Sequence, residues 1–269
     1  MEGSYTLTFD ANGGTTPISS KTVVLGSSYG SLPTPTREGY TFMGWKTAND
    51  DYILPAEYQE VEYIESTGTQ WIDTDIIPNQ DMGVRVVANI SQPQNTYILC
   101  VTTGRFNGGH GYGLGYEWGK YATIYDAYAS NDSIDFGVFK TLSMNYKNDG
   151  MFIVDGINKY TLMEPEHITS YRLTIFGSRR SLNAGADYRM IGKIKRLEIT
   201  LGSNIMYNFI PCYRISDGEI GMYDTMNNVF YTNQGTGEFI KGQDIVYVIS
   251  SGKVTNRYDH TLYAIWKEN

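Results

Sequence analysis

Short runs in which every second residue is apolar or aromatic, each closed by a Gly- or Asn-rich turn, commit this chain to β-sheet. Tyr5, Leu7 and Phe9 alternate with Thr6 and Thr8 before Asp10-Ala-Asn-Gly-Gly14 turns the backbone. The same period returns at Val84, Val86, Ala88 and Ile90, and again at Tyr97, Leu99 and Val101. Successive side chains of a strand point to opposite faces, so a period of two marks a strand with one buried face. Further strands are expected at 21–25, 39–45, 151–154, 173–176, 194–201 and 206–210. Around 57–64, Val61 and Tyr63 alternate with Glu60 and Glu62, which reads as a strand with a solvated acidic edge. Many short strands between turn signals imply a sandwich or barrel. The 23 Tyr and 29 Gly against 8 Pro suit pleated surfaces joined by tight turns.

Charge narrows the partners. The net charge is −8 and the 21 Lys and Arg form no long cluster, which argues against nucleic acid and against an anionic membrane surface. No apolar run is long enough to span a bilayer. Met1-Glu-Gly-Ser4 leads straight into a strand pattern without a secretory leader, as expected of a segment of a longer surface or virion protein. Cys100 and Cys212 both sit in apolar surroundings and read as buried free thiols.

Three ordered segments near the start, Tyr5-Thr-Leu-Thr-Phe-Asp-Ala-Asn-Gly-Gly14, Leu32-Pro-Thr-Pro-Thr-Arg37 and Gly39-Tyr-Thr-Phe-Met-Gly-Trp45, closely resemble the internalin-type B repeat, also called the Listeria–Bacteroides repeat. The resemblance implies a small β-grasp-like module of bacterial surface proteins, with a minor helical element. Such repeats close on a Leu-Tyr-Ala-x-Trp strand. Here that strand is found only at the far end, as Leu262-Tyr-Ala-Ile-Trp266, preceded by Val254-Thr-Asn256. Residues 1–50 joined to 243–269 would therefore make one discontinuous repeat, and 53–242 would be an inserted domain. Insertion is tolerated where both junctions share an exposed loop and the guest's termini lie close together. Trp45 and Trp266 are expected in the repeat's core, and Trp71 in the guest's.

The guest's opening, Leu54-Pro-Ala-Glu-Tyr-Gln-Glu-Val-Glu-Tyr-Ile-Glu-Ser-Thr-Gly-Thr-Gln-Trp-Ile-Asp-Thr74, resembles laminin-G-like, concanavalin A-like jelly rolls of gut bacterial and phage proteins. Its closing stretches, Phe209-Ile-Pro-Cys-Tyr-Arg-Ile-Ser-Asp-Gly-Glu-Ile-Gly-Met-Tyr-Asp224 and Val229-Phe-Tyr-Thr-Asn-Gln-Gly-Thr-Gly237, resemble the same group. The implied fold is an all-β, two-sheet antiparallel jelly-roll sandwich, in domains that bind glycans or serve as passive modules.

That superfamily includes glycoside hydrolases, whose retaining members place two carboxylates about 5 Å apart. No Glu-x-Asp-x-Glu strand occurs here, and Asp73 and Asp75 lack a third acid in register. The three histidines, His110, His167 and His260, are scattered, and the Gly-x-Ser-x-Gly string Gly26-Ser-Ser-Tyr-Gly30 reads as the turn that stops the 21–25 strand, not as a nucleophile elbow. The chain is therefore read as not an enzyme. No cofactor is expected except calcium, which the resemblance allows. Asp126, Asn131, Asp132 and Asp135 share one loop and carry the oxygen donors Ca²⁺ prefers, although an ordinary Asx-rich turn has the same composition.

Two segments carry recognition chemistry. In 105–121, His110, Tyr112, Tyr116 and Trp118 stand among glycines, and flat aromatic faces suit sugar rings. The period of two at Tyr112, Leu114, Tyr116 and Trp118 equally describes one filled sheet face. In 178–188, Arg179 and Arg180 suit acidic sugars or protein carboxylates, and Asn183 is a further ligand-binding candidate. The expected function is an extracellular adhesion or host-recognition module binding a glycan or cell-surface protein at a bacterial surface or on a phage virion. The alternative is a structural spacer or decoration domain. A binder should present a groove with Tyr or Trp on its wall.

Overall fold

The computed structural model describes residues 3–47, 54–55, 57–79, 81–92, 95–102, 111–117, 120–123, 135–145, 150–162, 171–179, 186–245, 247–248 and 252–269. Every regular element among them is a strand. The chain divides into two compact units, Met1–Pro55 with Asp244–Asn269, and Ala56–Gln243.

The smaller unit is a five-stranded mixed sheet in the order Ser20–Val24, Ser4–Asp10, His260–Glu268, Tyr40–Lys46, Tyr247–Val248. Its centre joins the two ends of the chain: Ser4–Asp10 runs parallel to the last strand, with Leu7 opposite His260 and Phe9 opposite Leu262. A parallel neighbour cannot be reached by a hairpin, so a long connection must intervene between the two. The Ser4–Asp10 and Ser20–Val24 strands are antiparallel, and Asn12 and Gly13 between them take φ of 45° and 83°. Leu7, Phe9, Val23, Trp45, Leu262 and Trp266 form the core. Phe42 sits between the two indoles, its ring centroid 5.6 Å from each, in the edge-on geometry that the aromatic quadrupole favours. A β-carbon on Gly14 would stand 2.6 Å from both the Thr36 carbonyl oxygen and the Trp266 ring, so only glycine fits that turn.

The minor helical element expected in this unit does not occur among the described residues. The connector toward Tyr40–Lys46 carries Pro33 and Pro35, which lack an N–H and hold their predecessors extended.

The larger unit packs two sheets against each other in a sandwich-like arrangement. The longer sheet runs Ile157–Thr161, Met151–Val154, Lys140–Asn145, Met82–Ile90, Ile191–Leu201, Asn204–Arg214, Ile220–Asp224, Val229–Thr232, all antiparallel. Ile64–Thr67 adds alongside the first half of Ile191–Leu201, and Tyr58–Glu60 alongside Asn204–Arg214. The shorter sheet runs Lys120–Thr123, Gly111–Glu117, Thr96–Thr102, Thr174–Ile175, Ile72–Asp73, with Ser178–Arg179 parallel to Thr96–Thr102. One continuous core includes Val84, Val86, Leu142, Phe152, Leu197 and Phe209 of the longer sheet and Ile98, Tyr112, Leu114 and Ile175 of the shorter. Trp71 is buried. Both cysteines are buried and unbridged. Burial pushes the Cys212 thiol up to about 12.

The larger unit departs from the sequence reading around 57–64, where the one expected strand is two, Tyr58–Glu60 and Ile64–Thr67. Glu60 was expected on a solvated edge but is buried, because its strand pairs with Asn204–Arg214 and places it opposite Cys212.

Candidate ligand-binding site

Within the aromatic stretch 105–121, residues 111–116 are buried. Tyr112 is 0% exposed and Tyr116 5%, and both belong to the sandwich core with Leu114. Their alternation is that of a filled face, so neither ring is presented to a ligand. His110 and Trp118 lie outside the described residues, as do Arg180, Asn183, Asp126, Asn131 and Asp132. The backbone of Arg179 forms the short strand beside Thr96–Thr102. Asp135 is exposed and its carboxylate pairs with Lys140 at 3.4 Å. Among the described residues no three of His, Cys, Asp and Glu come together in a way that could hold a metal ion.

A cleft opens instead at the downstream end of the 178–188 loop. Its volume is about 430 Å³, and Gly68, Gln92, Asn95, Ala186 to Arg189 and Ile191 line it. It is shallow and largely open to solvent. Three parts of the larger unit meet there: the Thr67–Gln70 turn, the entry to Thr96–Thr102, and the entry to Ile191–Leu201. The turn is fixed by the Gln70 side-chain oxygen, which accepts from the Thr67 amide at 2.8 Å. Gly68 in that turn takes a φ of 99°, and a β-carbon on it would stand 2.9 Å from Ile191.

Tyr188 dominates the wall. It is 42% exposed, yet its backbone sits at φ 45°, in the left-handed region that bulky side chains avoid. Holding a tyrosine there costs about 1–2 kcal/mol. The neighbouring backbone is tied on every side. Asp187 and Ser178 exchange both backbone hydrogen bonds, at 2.7 and 2.8 Å. The Tyr188 carbonyl accepts from the Tyr97 amide at 3.1 Å, and the Met190 amide donates to the Phe176 carbonyl at 3.0 Å. The Tyr188 ring meets the buried Tyr97 ring edge-on, with centroids 6.0 Å apart at 86°. Strain of this kind persists only where the surroundings over-determine it, and buried Phe176, at φ 63°, carries it too.

The cleft's polar equipment is varied. Gln92 and Asn95 are half-buried and supply amide donors and acceptors, while exposed Asp187 and Arg189 supply opposite charges. The Arg189 Nε–H donates to the Ala186 carbonyl at 2.8 Å. A flat aromatic ring beside mixed hydrogen-bonding groups can hold a polyhydroxylated ring by stacking one face and bonding its rim.

A second depression, about 390 Å³, is lined by Asp217, Glu219, Asn233, Glu238 and Phe239 among others. Its most defined carboxylate is already spoken for. The Arg214 guanidinium donates to Asp217 from Nε at 3.1 Å and from Nη2 at 2.6 Å, and with the Glu219 amide it holds the carboxyl below the usual carboxylate range.

Sequence reasoning reached the 178–188 loop but singled out Arg179, Arg180 and Asn183 within it, not Tyr188. Gln92, Asn95 and Arg189 were missed. They are polar residues at strand entries with no shared period, and only the fold brings Gln92 and Asn95 next to 186–191.

Residues 5–59 match the model of the Listeria-Bacteroides repeat domain. No curated protein matches the chain. A solved structure of a candidate carbohydrate-binding protein from Bacteroides ovatus is similar at 10% sequence identity with a TM-score of 0.41, over 73% of this chain and 62% of that one. This chain therefore spans less than two thirds of that protein's length.

Proposed function

We propose that the chain is an extracellular, non-catalytic recognition module that binds carbohydrate at the Tyr188 cleft. The observation that carries this reading is an exposed tyrosine held in a strained backbone conformation on the wall of a cleft lined by Gln92, Asn95, Asp187 and Arg189. A ring held by a hydrogen-bonded, conformationally fixed backbone gives a sugar site a rigid stacking platform at low entropic cost. In this proposal the larger unit is a jelly-roll sandwich of the laminin-G-like kind, inserted into a B repeat made of 1–50 and 243–269. The repeat match and the parallel pairing of Ser4–Asp10 with His260–Glu268 support that organisation. A bacterial surface or a phage virion is the proposed setting, and adhesion or host recognition the role.

A structural spacer or decoration role is the second reading. Tyr112 and Tyr116 favour it, since the aromatics that looked most suited to sugar fill the core instead.

A sugar array probed with the whole chain, with calcium and with a chelator, separates the two. Binding to a related set of sugars that is abolished by Tyr188→Ala in a folded variant establishes the lectin-like reading. Loss in chelator alone would bring calcium at the 126–135 loop into the account. A blank array with folded protein removes carbohydrate recognition and leaves the spacer.

A further inference from the structure

Resting on the carbohydrate reading of the Tyr188 cleft, we infer that its ligand is an acidic sugar, with the carboxylate held by Arg189 and the ring lying against Tyr188. Arg189 is exposed on the cleft wall, and its Nε–H is committed to the Ala186 carbonyl at 2.8 Å. That bond fixes the plane of the guanidinium and leaves the two terminal nitrogens for other partners. Among the described residues no carboxylate pairs with them. This sets Arg189 apart from the other well-defined arginines of the larger unit: Arg85 and Arg196 both reach Glu198, Arg172 reaches Asp75, and Arg214 reaches Asp217. A protein with net charge −8 has ample carboxylates to pair its arginines. An arginine tethered at one nitrogen, with no carboxylate on the other two among the described residues, is pre-organised for an external carboxylate.

Asp187 on the same wall decides what kind of anion fits. Its carboxylate opposes a small inorganic anion, which presents negative charge in every direction. A uronic or sialic acid presents its carboxylate at one edge and hydroxyl donors around the rest of the ring. Those hydroxyls can donate to Asp187 and to the side-chain oxygens of Gln92 and Asn95 while the carboxylate meets Arg189. The cleft therefore matches a ligand that is both anionic and rich in hydroxyl donors.

The test is calorimetric titration of the whole chain with matched pairs: methyl β-D-glucuronide and methyl β-D-glucoside, the galacturonide and galactoside, and sialyllactose and lactose. The acidic member of at least one pair is expected to bind about tenfold more tightly, the gain typical of a charge-assisted, partly exposed pairing. Its methyl ester should fall to the level of the neutral sugar, a comparison that does not depend on any variant folding. Arg189→Gln should narrow the acidic-to-neutral ratio to within about twofold. Neutral sugars bound as well as acidic ones would overturn this inference while leaving the carbohydrate reading in place. A preference for the acid untouched by Arg189→Gln would also overturn it. No binding by any member of any pair would overturn this inference, while the sugar array decides separately whether the carbohydrate reading stands.

Discussion

The Trp266 indole donates its Nε1–H to the carbonyl of Ala11 at 2.9 Å, closing a contact across 255 residues of sequence. The ring that makes this bond also packs against Phe42 and leaves no room for a side chain at Gly14. One residue thus ties the last strand to the first turn and to the third strand of the small sheet. The Trp45 indole does the same toward the proline connector, donating to the Pro33 carbonyl at 2.9 Å. The small unit is assembled from segments remote in sequence, and these two indoles are its fasteners.

Trp266→Phe should accordingly cost about 1 kcal/mol through the lost hydrogen bond, and Trp266→Ala about 3–5 kcal/mol through the emptied core. The two units have separate cores, so the loss should be local. Amide hydrogen exchange is the suitable measurement. Leu7, Phe9 and Leu262 should lose protection in Trp266→Ala, while Val84, Val86 and Leu197 keep theirs. Equal loss in both sets would mean that the units unfold as one.

The backbone strain at Tyr188 makes a different kind of prediction. Alanine and asparagine both remove the ring, but asparagine tolerates left-handed φ through local hydrogen bonding of its side chain, whereas alanine does not. Tyr188→Asn should therefore be more stable than Tyr188→Ala by about 0.5–1 kcal/mol, read from urea midpoints. Both should lose sugar binding. The reverse stability order would mean that φ at this position relaxes once the ring is gone.

These sites differ in how visible they are before folding. The strand at Ser4–Asp10 is plain in Tyr5, Leu7 and Phe9, and the core roles of Trp45 and Trp266 follow from the ordered segments around them. Tyr112 and Tyr116 were visible but ambiguous, since an aromatic at period two describes a filled face and a binding face equally well. The sandwich resolves this by covering that face with the opposite sheet. Glu60 reads as a solvated acid beside Glu62, and only pairing with a strand some 150 positions later buries it. The cleft was the least legible. Asn95 and Arg189 line one depression because Tyr97 bridges to Arg189. The left-handed turn at Tyr188 leaves no composition signal when the residue there is not glycine or asparagine.

The cysteines should be chemically silent in the folded chain. Both are buried, the Ser178 hydroxyl donates to the Cys100 sulfur at 3.2 Å, and Cys212 has its thiol pushed up to about 12 by burial. The thiolate is the nucleophile, so neither sulfur should react at pH 8. Mass spectrometry after iodoacetamide treatment should show no adduct on the native protein and two in denaturant. Rapid single labelling of the native chain would place one sulfur at an opening that this packing does not contain.

The hairpin turn at Asp155 and Gly156 supplies a clean test of pH dependence. The two residues join Met151–Val154 to Ile157–Thr161, with φ of 49° and 77°, the left-handed pair that a two-residue turn requires. Burial pushes the Asp155 carboxyl up, but the Thr141 amide at 2.9 Å and the Lys140 ammonium at 3.1 Å outweigh it and hold the group below the usual carboxylate range. A carboxyl whose folded value is depressed stabilises the fold fully above the unfolded value near 4, and that contribution is lost as pH falls through the lower folded value. Asparagine suits the turn at least as well and keeps an oxygen for the Thr141 amide, so Asp155→Asn removes the charge and little else. The variant should be less stable than the parent at pH 7, by a margin kept small because the side chain is 43% exposed to screening solvent. The two should converge as the pH falls toward 2. Urea midpoints measured from pH 7 to pH 2 give the comparison. Curves that stay parallel throughout would show that the Lys140 pairing contributes nothing to folding, and that the turn alone accounts for the aspartate.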